Sequence, residues 1–124
     1  MEGPLEGVRV LDLTSMLMGP YATQILGDMG AEVIKVESPS GDAVRGIGPM
    51  RSPGMGFMFL HANRSKRSIV LDLKQPAGLD AVRELIRRAD VLVYNLRPQS
   101  MARLGLDYDA VARLNPAIIY AGLY

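Results

Sequence analysis

The chain of 124 residues contains no cysteine. Disulfides, zinc–thiolate sites and a cysteine nucleophile are thereby excluded. Its single histidine, His61, argues against a histidine-rich metal centre, though not against a carboxylate site; no metal is expected. Neither sign of charge is in surplus, with 14 Lys plus Arg against 13 Asp plus Glu. A general nucleic-acid binder needs excess cations to displace counterions, so nucleic acid is not an expected partner. No apolar run approaches the ~20 residues of a membrane span. The opening MEGPLEG lacks the basic and apolar segments of a signal peptide. The expectation is a soluble, cytoplasmic protein without membrane contact. Repeats and low-complexity segments are also lacking, as is the G-x-G-x-x-G fingerprint of dinucleotide sites.

What is present suits one globular domain: 48% hydrophobic and 22% charged residues. VRVLDL (Val8–Leu13) reads as a strand. Gly19-Pro20 opens a helix in which Ala22, Ile25, Leu26 and Met29 recur at helical spacing. Gly30 suits the position after its end, where positive φ is needed. AEVIKVE (Ala31–Glu37) is a second strand, closing a βαβ unit. Ser38 to Met58 is rich in Gly, Pro and Ser without a period, and so long a loop in a compact domain is usually functional. A third strand is expected at Ser68–Leu73. Pro76 opens a helix with the apolar stripe Leu79, Val82, Leu85 and Ile86, while Arg83, Arg87 and Arg88 face out. Asp90–Asn95 is an apolar strand of the kind buried in parallel sheets. Short helices follow from Pro98 to Gly105 and after Asp107, a capping residue. AIIYAGLY is a last strand. Alternation of this kind predicts an α/β fold: a Rossmann-like, mostly parallel sheet with helices on both faces. The chain stops at a fifth apolar strand, where such sheets usually continue, so a piece of a longer protein is expected.

In open α/β sheets ligands bind beyond the carboxyl ends of the strands. Four places are thereby selected: Ser15–Pro20, Glu37–Ser38, Leu71–Lys74 and Asn95–Pro98. Met16 and Met18 either fill the core beneath the first turn or form an adaptable apolar ligand surface. The cluster Asn63–Ser68, with Arg64, Lys66 and Arg67, is either a solvated loop or a phosphate contact. Asn95 can donate and accept as a purine or amide ligand requires. Arg97 and Arg103 suit phosphates, although a cation at Arg103 also fits a helix C-terminus. Gly41-Asp42 beside Arg45 reads as an Asx turn. Asp12, at a strand end, Asp28, near a helix end, and Asp72, in a strand, are not brought together by spacing, nor is any Ser–His–Asp set. The residues amount to a binding half-site without a catalytic centre.

Three runs carry a resemblance: GVRVLDLTSMLMGPYATQILGDMGAEVIKVESPSGD, NRSKRSIVLDLK and DVLVYNLRPQSMARLGLDYDAVARLNPAIIYA. They closely resemble the N-terminal region of the family III CoA-transferases, which include formyl-CoA:oxalate and carnitine CoA-transferases and α-methylacyl-CoA racemase. The resemblance implies that residues 1–124 are the N-terminal part of a CoA-binding Rossmann-like domain, the rest of which is absent. It implies acyl-CoA and a carboxylic acid acceptor as partners, and an interlocked homodimer. It also implies an aspartate nucleophile that forms anhydride and aspartyl-CoA thioester intermediates. In the racemase branch, a His and an Asp exchange the α-proton instead. Coenzyme A contacts would fall on Met16, Leu17, Met18, Leu71, Leu73, Lys74, Asn95, Leu96, Arg97 and Arg103.

The nucleophile belongs to a part of the family pattern beyond Tyr124, so no catalytic residue is expected in the chain. Departures from the pattern are Leu17, where some transferases have Gln, Ser38, where some have Arg, and Gln99, where Gly is frequent. Alternatives are a racemase relative, a stand-alone nucleotide- or CoA-binding module, a nicotinamide-dependent half-domain and an interaction protein.

Overall fold

The computed structural model describes residues 2–124. Its elements are β1 (Arg9–Leu13), α1 (Met18–Asp28), β2 (Glu32–Glu37), a 3-10 turn (Ala43–Gly46), α2 (Phe57–Ala62) and β3 (Lys66–Val70). They continue with α3 (Pro76–Arg88), β4 (Val91–Tyr94), α4 (Pro98–Arg103), α5 (Tyr108–Leu114) and β5 (Ile119–Gly122). The five strands form one sheet in the order β3-β2-β1-β4-β5, and every pairing is parallel. This is the doubly wound α/β arrangement, in which strand order reverses beside β1.

Local chemistry accounts for the helix ends. Pro76 and Pro98 occupy first-turn positions, where a missing N–H costs nothing. The Asp107 carboxylate accepts from Ala110 N–H at 3.1 Å. Gly30 has φ 103°, as a residue past a helix end requires.

Strand alternation sorts side chains onto the two faces. Leu11, Leu13, Val36, Leu92 and Tyr94 pack with Val82, Ile86, Met101, Leu106 and Val111 of the α3–α5 layer. Val10, Val33 and Val93 pack with Ala31 and Leu26 on the α1 side. Helices therefore cover both faces, as the alternation of elements predicts.

Three expectations need correction. The third strand is Lys66–Val70 rather than Ser68–Leu73. Its register sets Lys66 opposite Val33 and Ser68 opposite Lys35, which turns polar side chains toward the α1 side. The chain leaves the sheet at Leu71, and Asp72 lies in the following turn, where its carboxylate accepts from Lys74 N–H at 3.0 Å. The long loop is not structureless, since it contains the 3-10 turn and leads into α2. These pieces of four and six residues are too short to leave a readable period.

Candidate functional site

The turn between β1 and α1 is assembled by residues far apart in the chain. Asp12 is fully buried and accepts from Thr14 N–H at 2.8 Å and Thr23 Oγ1 at 2.6 Å. Lys66 Nζ lies 3.0 Å from the same carboxylate and also donates to Pro20 C=O and Asn63 Oδ1. Burial pushes the Lys66 pKa down, with the charge of Asp12 opposing it. Lys35 Nζ donates to Thr14 C=O at 2.9 Å and stands 2.9 Å from Asp42 Oδ2. That contact is ionic; Oδ2 accepts no hydrogen bond. Asp42 Oδ1 receives Met16 N–H and Val44 N–H, each at 3.1 Å. Met16 itself sits at φ 72°, a left-handed conformation that costs a non-glycine residue energy.

Asn95 completes the clamp. It accepts from Ser15 N–H at 3.1 Å and donates to Ser15 C=O at 2.8 Å, so its amide braces the turn from the end of β4. Glu37 holds the long loop in a similar way. Its carboxylate accepts from Asp42 N–H at 2.8 Å, from Arg45 Nε and Nη2 at 2.7 Å each, and from the Ser68 hydroxyl. Burial works to raise the Glu37 pKa, but Arg45, Ser68 and the Asp42 N–H outweigh it and hold the group at about 2. Arg45 also lies over the Phe59 ring at 3.7 Å, which ties the loop to α2.

Beside this scaffold, at the carboxyl ends of β1, β2, β3 and β4, opens a cavity of about 410 Å³. Such a volume is typical of small-molecule sites. Leu13, Val36, Leu71, Leu73, Leu96 and Leu104 line it, with Lys35, Glu37, Asp42, Asp72 and Lys74 as charged neighbours. Lys35, Glu37 and Asp42 are neutralised by partners. Lys74 is exposed at the rim, where its cation can meet an anionic ligand.

Of the residues singled out from the sequence, Leu71, Leu73, Lys74 and Leu96 reach the cavity wall. Met16, Leu17 and Met18 lie outside it and are 48%, 48% and 76% exposed, so the two methionines are not core filling. Arg97 precedes α4 and Arg103 lies in its last turn, both exposed and outside the wall.

The polar cluster after α2 is part solvated and part buried: Arg64 and Arg67 stay exposed in surface ion pairs, while Lys66 turns inward. Arg64 pairs with Asp28 at 2.8 Å, Lys66 with Asp12, and Arg67 with Glu32. Asp42 is the Asx turn expected, accepting from Val44 N–H, but it is also the counterion of Lys35. That second role was not legible, because the pair forms only once β2 and the loop are folded together. The same holds for the carboxylates of Asp12, Glu37 and Asp42, which the fold gathers in one buried layer.

The order of strands and the position of the cavity define a doubly wound α/β domain with its cavity at the carboxyl ends of the strands. The family model for CoA-transferase family III matches residues 5–124, and the chain belongs to that family. It is 46% identical, over 97% of its length, to succinate–glutarate CoA-transferase of Agrobacterium fabrum. It is 44% identical, over 96%, to formyl-CoA:oxalate CoA-transferase of Streptomyces coelicolor. Among solved structures, a CAIB/BAIF family protein from Brucella suis superposes with a TM-score of 0.93 at 40% identity, covering 98% of the chain. The chain spans about a third of these relatives, 32%, 29% and 33% of their respective lengths.

Proposed function

We propose that this chain is the CoA-binding, N-terminal part of an acyl-CoA:carboxylate CoA-transferase that acts as an interlocked homodimer. The observation that carries the reading is the leucine-lined cavity at the strand ends, with Lys74 at its rim, in a chain of family III. The apolar wall suits a planar base, and Lys74 suits a phosphate oxygen. The clamped Ser15–Met18 turn stands beside it and presents Leu17 and Met18 to the acyl arm. Arg97 and Arg103 are further cations for the phosphates. Met16, Asn95, Asp42 and Lys35 act by holding that turn.

In the complete enzyme an aspartate carboxylate, supplied outside these residues, attacks the thioester carbonyl and expels CoA thiolate, leaving a mixed anhydride. The thiolate returns to the aspartyl carbonyl and releases the first acid. The acceptor carboxylate then attacks the aspartyl-CoA thioester, and the expelled thiolate takes the acceptor's acyl group, freeing the aspartate. Residues of this chain bind and orient CoA throughout and bear none of these bonds. Turnover is expected from the complete enzyme and not from the chain of 124 residues.

Titration calorimetry of the chain with CoA, NAD and ATP tests the reading. CoA should bind; binding of NAD without binding of CoA overturns it.

A further inference from the structure

In doubly wound sheets that bind dinucleotides, an acidic residue about 20 residues past the first turn offers its carboxylate to the ribose hydroxyls. Glu37 holds that place. It is the last residue of β2, and it lines the cavity at the strand ends.

Its carboxylate is already saturated from within the chain. Oε1 accepts from Arg45 Nε at 2.7 Å and from Asp42 N–H at 2.8 Å. Oε2 accepts from Arg45 Nη2 at 2.7 Å and from the Ser68 hydroxyl. Each oxygen carries two lone pairs, so no acceptor position is left for a ligand hydroxyl. Arg45 is itself held in place. Its Nη1 donates to Gly54 C=O at 3.3 Å, and the guanidinium lies over the Phe59 ring at 3.7 Å. The Glu37 side chain is 2% exposed, which makes the pair a fixed part of the wall.

Neutralisation has a second consequence. An unpaired carboxylate here would repel a phosphate drawn into the same cavity. The bidentate guanidinium cancels that charge, and Lys74 stands exposed at the rim as a cation.

We infer that the Glu37–Arg45 pair sets the specificity of the cavity: it withdraws the acceptor that a free ribose diol requires, and it admits a ribose that carries a phosphate. The inference rests on the CoA site of the proposed function and adds which feature of the nucleotide is selected, and by which residues. The class of ligand favoured is a 3′-phosphorylated adenosine, as in CoA. The class disfavoured has an unmodified ribose, as in dephospho-CoA and NAD. Arg45 is a positioning residue, because it acts on the ligand through Glu37.

CoA and dephospho-CoA differ by that phosphate alone, so calorimetry with both is the test, applied to the chain and to Arg45→Met and Ser68→Ala. The unsubstituted chain should bind CoA about tenfold more tightly, the size of one charge-assisted contact. Arg45→Met frees the carboxylate and its charge. It should weaken CoA and strengthen dephospho-CoA, bringing the ratio of affinities to one or below. A merely structural role for Arg45 would weaken both nucleotides alike and leave the ratio unmoved. Ser68→Ala removes a single donor on exposed β3 and should lower the ratio by a smaller factor. It gives the reading should circular dichroism show that Arg45→Met unfolds. Equal affinities in the unsubstituted chain, as Asp72 accepting the diol would produce, overturn the inference. So does a ratio that stays the same in every variant that folds. A chain that binds neither nucleotide removes the proposed function and this inference together, whereas CoA binding without preference removes the inference alone.

Discussion

Lys35 and Asp42 meet at 2.9 Å with side chains each 1% exposed, and between them they hold both ends of the Thr14–Met16 segment. Lys35 takes Thr14 C=O and Asp42 takes Met16 N–H. A pair from β2 and the long loop thus shapes the turn between β1 and α1.

Removing one member strands the other. Asp42→Ala leaves the Lys35 ammonium buried without a counterion, and loss of one partner of a buried pair costs about 3–5 kcal/mol. Lys35→Met combined with Asp42→Asn should recover much of that loss, because the charge disappears with its partner. Urea denaturation of the single and double variants measures both. A single variant as stable as the parent would refute the role assigned to the pair.

Glu37 makes stability depend on acid. Its pKa, held at about 2, lies below the ordinary value of 4.5, so the folded chain binds the proton less readily than the unfolded chain. Its contribution is complete above about pH 4.5 and is lost as pH falls from there through about 2. Glu37→Gln should flatten that part of the stability–pH curve, followed by denaturation at stepped pH. An identical slope in the variant contradicts the assignment.

Gly19 is where α1 comes closest to the β1 end. A Cβ there would meet Thr14 Cβ at 2.4 Å and Cγ2 at 2.6 Å, and Thr14 is itself pinned to Asp12. Replacing glycine by alanine inside an ordinary helix stabilises it by roughly 1 kcal/mol. Here overpacking should dominate, and Gly19→Ala should lose about 1–3 kcal/mol. A rise in the thermal midpoint would show that the helix has room to move.

Asn95 uses both halves of its amide on Ser15. Asn95→Asp keeps the acceptor and removes the donor, setting a carboxylate oxygen against Ser15 C=O. Stability should fall by about 1–2 kcal/mol, and CoA affinity with it. If CoA affinity and midpoint both stay unchanged, the clamp is dispensable.

Lys74 at the cavity rim is expected to contribute through charge alone. Lys74→Ala should weaken CoA binding several-fold at low salt, with the difference shrinking as salt screens it. Calorimetry at two ionic strengths decides the point; a salt-independent loss would assign Lys74 a packing role.

Apart from the 3-10 turn and α2, the sequence by itself determined the succession of strands and helices, along with the helix starts at Pro76 and Pro98, the Asp107 cap and the Gly30 exit. Each rests on interactions within a few residues, which leave a local mark. The segments Leu71–Leu73 and Leu96 were legible as positions on the cavity wall, because the ends of parallel strands are where such sheets open their clefts. The tertiary structure decided what no local pattern records. Lys66 reaches Asp12 across 54 positions of the chain, and pairing of this kind turns Lys35 and Lys66 inward, where their residue types alone suggest solvent. That buried polar layer shifts β3 toward Lys66 and leaves α1 with its apolar stripe outward. Burial of charge is set by partners brought together in space, and those partners are named only by the fold.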